Sequence, residues 1–232
     1  MYGLGRLQEH DPRSLRFAVE VPDRDPTNKT WRCGVVLNQG HTSACTGFSR
    51  VADLLAAPRM VKVDDPQDMA QRTYKLAQTL DEWPGEDYEG SSVLGALKAV
   101  QGLGFIGEYR WAFDFGDWLR SLSYVGPSVV GTTFFNSMFE PSERGVINVD
   151  PSSGEAGGHA YLIRAIVTDE RRKKRIVGAP NNRDGVPLLR VRNSWGHGWG
   201  KAGDAYMWAD DYQKHLWPGG EQSVVTSALR AR

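Results

Sequence analysis

Residues 38–49, NQGHTSACTGFS, constrain this chain more than any other stretch, because a helix is expected to begin within them at one of only two cysteines. Beyond Cys45, the residues Phe48, Val51, Ala52 and Leu55 recur at helical spacing and Pro58 supplies a stop, which predicts a buried helix over 46–57. Cys45 stands at its N-terminus, where free N–H groups and the helix dipole favour a thiolate. Gln39 lies six residues upstream, with small or hydroxylated residues filling much of the gap. Alone, the stretch supports two readings equally: a nucleophile held by the packing of its helix, or a small core residue, the ordinary role of a free cysteine.

The 232 residues suffice for one large domain or for two lobes sharing a core. Basic and acidic residues balance at 28 each, so the chain as a whole gives no argument for nucleic acid or an anionic membrane as partner. Two cysteines cannot build a disulfide framework, which suits a reducing compartment. Residues 1–16 lack the continuous apolar run of a secretory signal. The longest weakly polar run, 124–135, is too short to span a bilayer and is broken by Gly126, Pro127 and Gly131. The expectation is a soluble, cytoplasmic protein of unassigned oligomeric state, with no membrane partner.

Residues 1–29 carry glycine, proline and charge but little periodicity, and read as an extended arm without the long helices of a compact inhibitory segment. Helical patterns follow over 67–80, started by Asp64-Asp65-Pro66, and over 93–101, capped by Gly90-Ser91-Ser92, with an acidic turn over 82–89 between them. A short helix over 117–122 precedes strand-like runs at 128–135, 159–168, 188–193 and 205–208. Residues 171–175, RRKKR, read as a solvated hairpin tip. Helices first and strands later predict an α+β protein: a single domain with a mainly helical lobe over 30–115 and a mainly β lobe over 116–232.

A catalytic thiol needs a base to take its proton and a third group to orient that base. Of the five histidines, His159 opens a strand directly after Gly157-Gly158, which leaves space beside the imidazole. By itself it reads equally as a hydrogen-bonded histidine at a strand start. Asn193 ends a later strand within RNSWGHGWG, where its side-chain oxygen suits an imidazole N–H and the tryptophans exclude water. Cys33, in an apolar approach segment, reads as packing. No HExxH and no paired CxxC occur, so neither a metal nor another cofactor is expected.

Taken in order, these residues resemble the papain-like cysteine peptidases over about residues 28–210. Asn38-Gln39-Gly40 is similar to the family's NQG, the step to Cys45 has the family spacing, and Phe48-Ser49 matches the residues after the nucleophile. Gly158-His159-Ala160 resembles the histidine strand. Asn193-Ser194-Trp195-Gly196 with Trp199-Gly200 resembles the NSWGxxWG signature, the most specific piece. The resemblance implies a two-lobe fold of a helical lobe and an antiparallel β-barrel-like lobe, with the site in the cleft between them. It implies Cys45, His159, Asn193 and Gln39 as catalytic residues, with Gln39 donating to the oxyanion. Gly90, Gly158 and Trp195 become candidates for substrate binding.

The implied activity is hydrolysis of peptide bonds in peptide or protein substrates, through a thiolate whose pKa is lowered to roughly 3 to 4 by its histidine. Amidase, isopeptidase or acyl-transfer chemistry on the same triad is the alternative, and a non-catalytic binding or assembly module is the third. The sequence departs from the pattern where Thr42-Ser43 replaces a Cys-Gly pair and Thr46 replaces an aromatic residue. With no long propeptide evident, the resemblance is to compact bacterial and phage-encoded members.

Overall fold

The structure, a computed structural model, describes residues 2–9, 11–83 and 88–228. His10 and residues 84–87 of the acidic turn lie outside them. The helix at Cys45, α1 (Cys45–Leu54), is buried along its whole length. It is shorter than its apolar spacing predicts, because the chain turns out ahead of Ala57-Pro58, and the residue before a proline disfavours helix. Helix α2 (Pro66–Gln78) starts as its sequence predicts: the Asp65 carboxylate accepts from the N–H groups of Gln67 and Asp68, both at 3.0 Å, and Pro66 occupies the first turn. Gly47 lets α1 and α2 touch, since a Cβ there would overlap the Ala70 carbonyl oxygen. Helix α3 (Val93–Gly102) is capped by Ser92 Oγ, which accepts from Gly95 N at 2.7 Å.

The strands in this half of the chain are short: β1 (Arg6–Leu7) and β2 (Lys29–Thr30) before α1, and β3 (Ser91–Ser92) directly before α3. After α3 come β4 (Ile106–Trp111), α4 (Phe115–Tyr124), β5 (Ser128–Phe135), β6 (Glu155–Val167) and α5 (Glu170–Val177). The chain ends in β7 (Leu188–Arg192), β8 (Asp204–Trp208), α6 (Ala209–His215) and β9 (Glu221–Ala228). Among the described residues an antiparallel sheet runs in the order β4-β9-β5-β6-β7-β8, with β2 also pairing with β6. The sheet is open rather than barrel-like. Its edges belong to different cores: Ile106 and Trp111 of β4 pack with the helices, whereas Ala205 and Met207 of β8 pack on the opposite face.

Strand β6 divides the two cores because successive side chains point to opposite faces. Ala160 and Leu162 face α1 and α3, with Cys45, Phe48, Val51 and Leu97. Tyr161 and Ile163 face Trp118, Phe134, Trp195 and Tyr212. The basic run 171–175 is not a hairpin tip. It lies in α5, which Asp169 caps by accepting from Arg172 N at 2.7 Å. Lys173 is buried there, donating from Nζ to the carbonyls of Arg183 and Val186 at 2.9 and 2.7 Å and pairing with Glu170. A helical period turns one of five charges inward, which a reading of composition alone misses.

A buried ion cluster ties α1 to the sheet. Arg50 pairs with Asp53 at 2.9 Å and donates to Ser223 Oγ at 2.6 Å, and Arg59 also reaches Asp53. Burial pushes the Arg50 guanidinium down to about 10, against the Asp53 carboxylate, which holds it up. Removing one partner of such a pair leaves an uncompensated buried charge, a loss of about 3–5 kcal/mol. Asp53→Ala is therefore expected to lower the unfolding free energy measured by urea denaturation by that amount, while Glu108→Ala, in a partly exposed pair, shifts it little.

Candidate active site

Two loops bring the candidate residues to the mouth of the seam between α1 and the sheet. Residues 37–39 and 194–196 are stitched together by Gln39 N donating to the Ser194 carbonyl at 2.8 Å and Gly196 N donating to that of Leu37 at 3.0 Å. The turn ahead of Cys45 is thereby fixed to the turn after Asn193. His159 and Asn193 meet at 2.9 Å, imidazole Nε2 to amide Oδ1. The same Oδ1 accepts the Ser194 N–H at 2.8 Å, which identifies it as the oxygen. Nε2 therefore carries the proton of the neutral ring, leaving the lone pair on Nδ1, which is buried without a hydrogen-bond partner. Trp195 stacks on the imidazole at 4.7 Å between centroids, and Phe134 meets it edge-on at 5.0 Å. Both rings keep water from the His159–Asn193 bond.

Cys45 lies fully buried at the start of α1, with the backbone of Ala160, Gly5 and Thr46 close enough to its sulfur to favour the thiolate. Ala160 follows His159 directly, so thiol and imidazole come from elements that touch. Gln39 is held from both sides: its Oε1 accepts from Ser194 Oγ at 2.6 Å, and its Nε2 donates to the Thr42 carbonyl at 2.6 Å and the Gly3 carbonyl at 3.2 Å. Cys33 stands apart, with Arg164 Nε 3.0 Å from its sulfur.

Gly3 and Gly5 belong to the arm, and the arm lies in the cleft. Tyr2 stacks on Trp195 at 4.5 Å and an interplanar angle of 9°. Gly3 N donates to the Gly40 carbonyl, Gly5 N to that of Gly158 at 3.0 Å, and the Gly5 carbonyl accepts from Ser91 N at 2.9 Å. β1 then pairs in parallel with β3, Arg6 opposite Ser91 and Leu7 opposite Ser92. Gly158 and Gly90 make room for this passage: a Cβ at Gly158 would overlap the Arg6 carbonyl oxygen and one at Gly90 that of Gly5. The partner for an extended backbone is thus Ser91, beside Gly90. Gly90 itself donates to Tyr74 Oη at 3.0 Å.

The arm's contribution was missed in the sequence because its signal is small. Alternating glycines in YGLGRL mark a strand whose one face is pressed against another backbone. A Cβ at Gly3 would overlap the Thr42 carbonyl oxygen and one at Gly5 that of Ser43.

Covering the site reverses its electrostatics. Burial pushes the Cys45 thiol up to about 11, against the N–H groups of Ala160, Gly5 and Thr46, which favour the thiolate. Burial likewise pushes His159 down to about 4, against its hydrogen bond to Asn193. At pH 7 the pair beneath the arm is a neutral thiol and a neutral imidazole, the opposite of the low-pKa thiol that the resemblance implies.

No protein-family model matches the sequence, and no curated protein does. The fold does have solved counterparts. Xylellain, a cysteine protease from Xylella fastidiosa, is similar over 100% of this chain and 97% of its own, with 16% identity and a TM-score of 0.72. Procathepsin L2 from the larval midgut of Tenebrio molitor matches 97% of this chain and 78% of its own at 17% identity and a TM-score of 0.59. Bromelain from Ananas comosus matches 87% of this chain and 99% of its own at 16% identity and 0.59. The chain has the papain-like fold. No helix among the described residues is long and apolar enough to cross a membrane.

With its pKa near 11, the covered thiol is ionised in only on the order of one molecule in ten thousand at pH 7. Alkylation by iodoacetamide is expected to be slow at pH 7 and to accelerate with each pH unit toward 10, as the thiolate fraction grows. Gly5→Ala, which forces the arm off Ser43, is expected to raise the pH 7 rate at least about tenfold. Intact-mass time courses read both effects.

Proposed function

We propose that this protein is a cysteine peptidase, with Cys45 as nucleophile, His159 as base and acid, and Asn193 as the group that orients His159. The observation that carries this reading is the buried His159–Asn193 bond, whose polarity leaves a lone pair at Nδ1 beside the strand residue that addresses the Cys45 sulfur. The papain-like fold of three cysteine proteases agrees with it.

Catalysis begins with departure of the arm. Water and a substrate backbone replace it, and the desolvation that holds both groups neutral is relieved. The thiol proton passes to His159 Nδ1, and Asn193 Oδ1 continues to accept from Nε2 of the imidazolium. The thiolate forms a C–S bond to the substrate carbonyl carbon as the carbonyl π pair moves to oxygen. Gln39 Nε2, freed from Gly3, donates to that oxyanion together with the Cys45 N–H. The oxygen pair then returns, the C–N bond breaks, and the amine leaves with the proton from His159. His159 next takes a proton from water, whose oxygen displaces the thiolate from the thioester.

Ser91 offers its N–H to the substrate backbone, and Gly90 and Gly158 leave the backbone its space. Trp195, released from Tyr2, becomes a wall of the cleft as well as the shield over the His159–Asn193 bond. Residues 2–7 act as an internal competitor for these positions.

A peptidyl epoxide or fluoromethyl ketone tests the mechanism by intact mass, at neutral pH under mild reduction and in the Gly5→Ala background. One adduct that needs Cys45 and His159 and survives Cys33→Ala is expected. Labelling that persists at the same rate in His159→Ala would mean the imidazole does not activate the thiol. With a cleavable peptide, Gln39→Ala is expected to lower kcat about 100-fold or more through loss of one oxyanion donor.

A further inference from the structure

The chain has two thiols, and the mechanism uses one. The other, Cys33, is partly exposed beside a buried ion cluster. Alternation along the strands assembles that cluster. Leu189, Val191, Ala205 and Met207 point into the aromatic core, so Arg190 and Arg192 of β7 and Asp204 of β8 point to the other side, as does Arg164 of β6 next to Ile163. Arg192 donates to Asp204 from Nε at 2.7 Å and Nη2 at 3.1 Å, Arg190 from Nη2 at 2.8 Å and Arg164 from Nη1 at 3.3 Å. Arg164 Nε lies 3.0 Å from the Cys33 sulfur, and Arg192 Nη1 donates to the carbonyl of Gly34. Three guanidiniums thus share one carboxylate, and among the described residues no second carboxylate pairs with any of them. Three cations less one anion leave a net charge of +2. Arg164, Arg192 and Asp204 are 7, 8 and 3% exposed, so water compensates the excess poorly. Arg190 Nε is also buried, with no acceptor.

We propose that Cys33 is a thiol-exchange site for carboxylate-bearing disulfides, forming a mixed disulfide whose anionic end is held by the Arg164–Arg190–Arg192 cluster. Packing, the reading that the sequence alone favours, accounts for the burial of the thiol but not for the unbalanced charge beside it. A partly exposed sulfur in electropositive surroundings is the setting of a reactive cysteine, and a carboxylate arriving with the disulfide supplies the anion the cluster lacks. In the exchange, the Cys33 thiolate attacks the near sulfur of the disulfide and a new S–S bond forms. The old S–S bond breaks with its electron pair on the far sulfur, which leaves as a thiolate and takes up through solvent the proton that Cys33 lost. The Cys33 sulfur is oxidised and the departing half reduced, so the disulfide is the only oxidant the step needs. Burial pushes the Cys33 thiol up, against the guanidiniums of Arg164 and Arg192, which hold it down, so exchange quickens as pH rises. Arg190 is the most exposed of the three guanidiniums and meets an incoming carboxylate first. Arg32, exposed next to Cys33, adds to the positive field.

The test uses the full chain carrying Cys45→Ala, in which Cys33 is the remaining thiol. Dithiodipropionate, hydroxyethyl disulfide and cystamine, which end in carboxylate, hydroxyl and ammonium groups, are compared for the rate of adduct formation by intact mass, at a pH of about 8.5, near the ordinary thiol pKa. Each rate is divided by the rate for the same chain unfolded in urea, which removes the reagents' intrinsic differences. After that division the carboxylate reagent is expected to outpace the ammonium reagent at least about tenfold, with the hydroxyl reagent between them. Arg190→Gln, which leaves Asp204 paired with Arg164 and Arg192, is expected to cut that ratio at least about threefold. Arg190→Lys keeps the charge and is expected to keep the preference; should the Gln variant fail to fold, the ratio in the parent chain decides alone. A ratio of about one, the absence of any adduct in the folded chain, or a preference that a folded Arg190→Gln variant leaves unchanged overturns the assignment.

Discussion

The contact between α1 and β6 is the constraint on which the rest of this structure depends. Helix α1 is buried along its whole length, its first residue Cys45 included. On the other side, β6 presents Ala160 and Leu162 to the helix and Tyr161 and Ile163 to the aromatic core. His159 shares the parity of Tyr161, so it falls among Phe134, Trp195 and Tyr161, while its neighbour Ala160 addresses the sulfur. The site is a by-product of period-two geometry within a strand, set against the first turn of a helix. The Arg50–Asp53–Ser223 contacts pin the other end of α1 to β9, so the thiol is held to the sheet by packing and by charge together.

Burial acts on this site in two opposing ways. It stabilises the scaffold, and it removes the ionised pair on which thiol chemistry depends. The same N–H groups that favour a thiolate are present in the covered form, yet desolvation outweighs them at Cys45 and outweighs the Asn193 bond at His159. In the proposed mechanism, activity control requires no rearrangement of Cys45, His159 and Asn193. In that mechanism residues 2–7, lying in the cleft, add to the burial that holds both groups neutral, and their withdrawal changes that solvation while leaving the His159–Asn193 geometry alone.

Legibility in the sequence followed the strength of local signals. The Asp65-Pro66 start of α2, the Ser92 cap of α3 and the limits of β5 could be read because capping, proline and β-branched runs act within a few residues. Asn193 and His159 were legible as a pair only through the family resemblance, because nothing local links positions 34 residues apart. Three features escaped for physical reasons. The open sheet depends on which core each edge strand joins, a tertiary choice. Lys173 faces inward because α5 packs on the loop around Arg183 and Val186, which turns a surface charge run into a buried bond. The arm carries too few apolar residues to announce burial, and it is held by main-chain bonds and glycine contacts that hydropathy does not register.

Glycine placement joins these observations into one account of the cleft. Gly3 and Gly5 on the arm face the backbone of residues 41–43, while Gly90 and Gly158 on the walls face the arm. A segment gripped from two sides by missing side chains is recognised through its main chain, which every peptide shares. Such a cleft discriminates little by backbone alone and would leave the arm open to displacement by any extended chain. The buried Arg6–Glu221 pair supplies what the backbone cannot, a side-chain interaction particular to the arm. Its partner on the body is fixed in β9, against the strand that pairs with β6. The arm is therefore held by its main chain and by one carboxylate of the same sheet that carries His159.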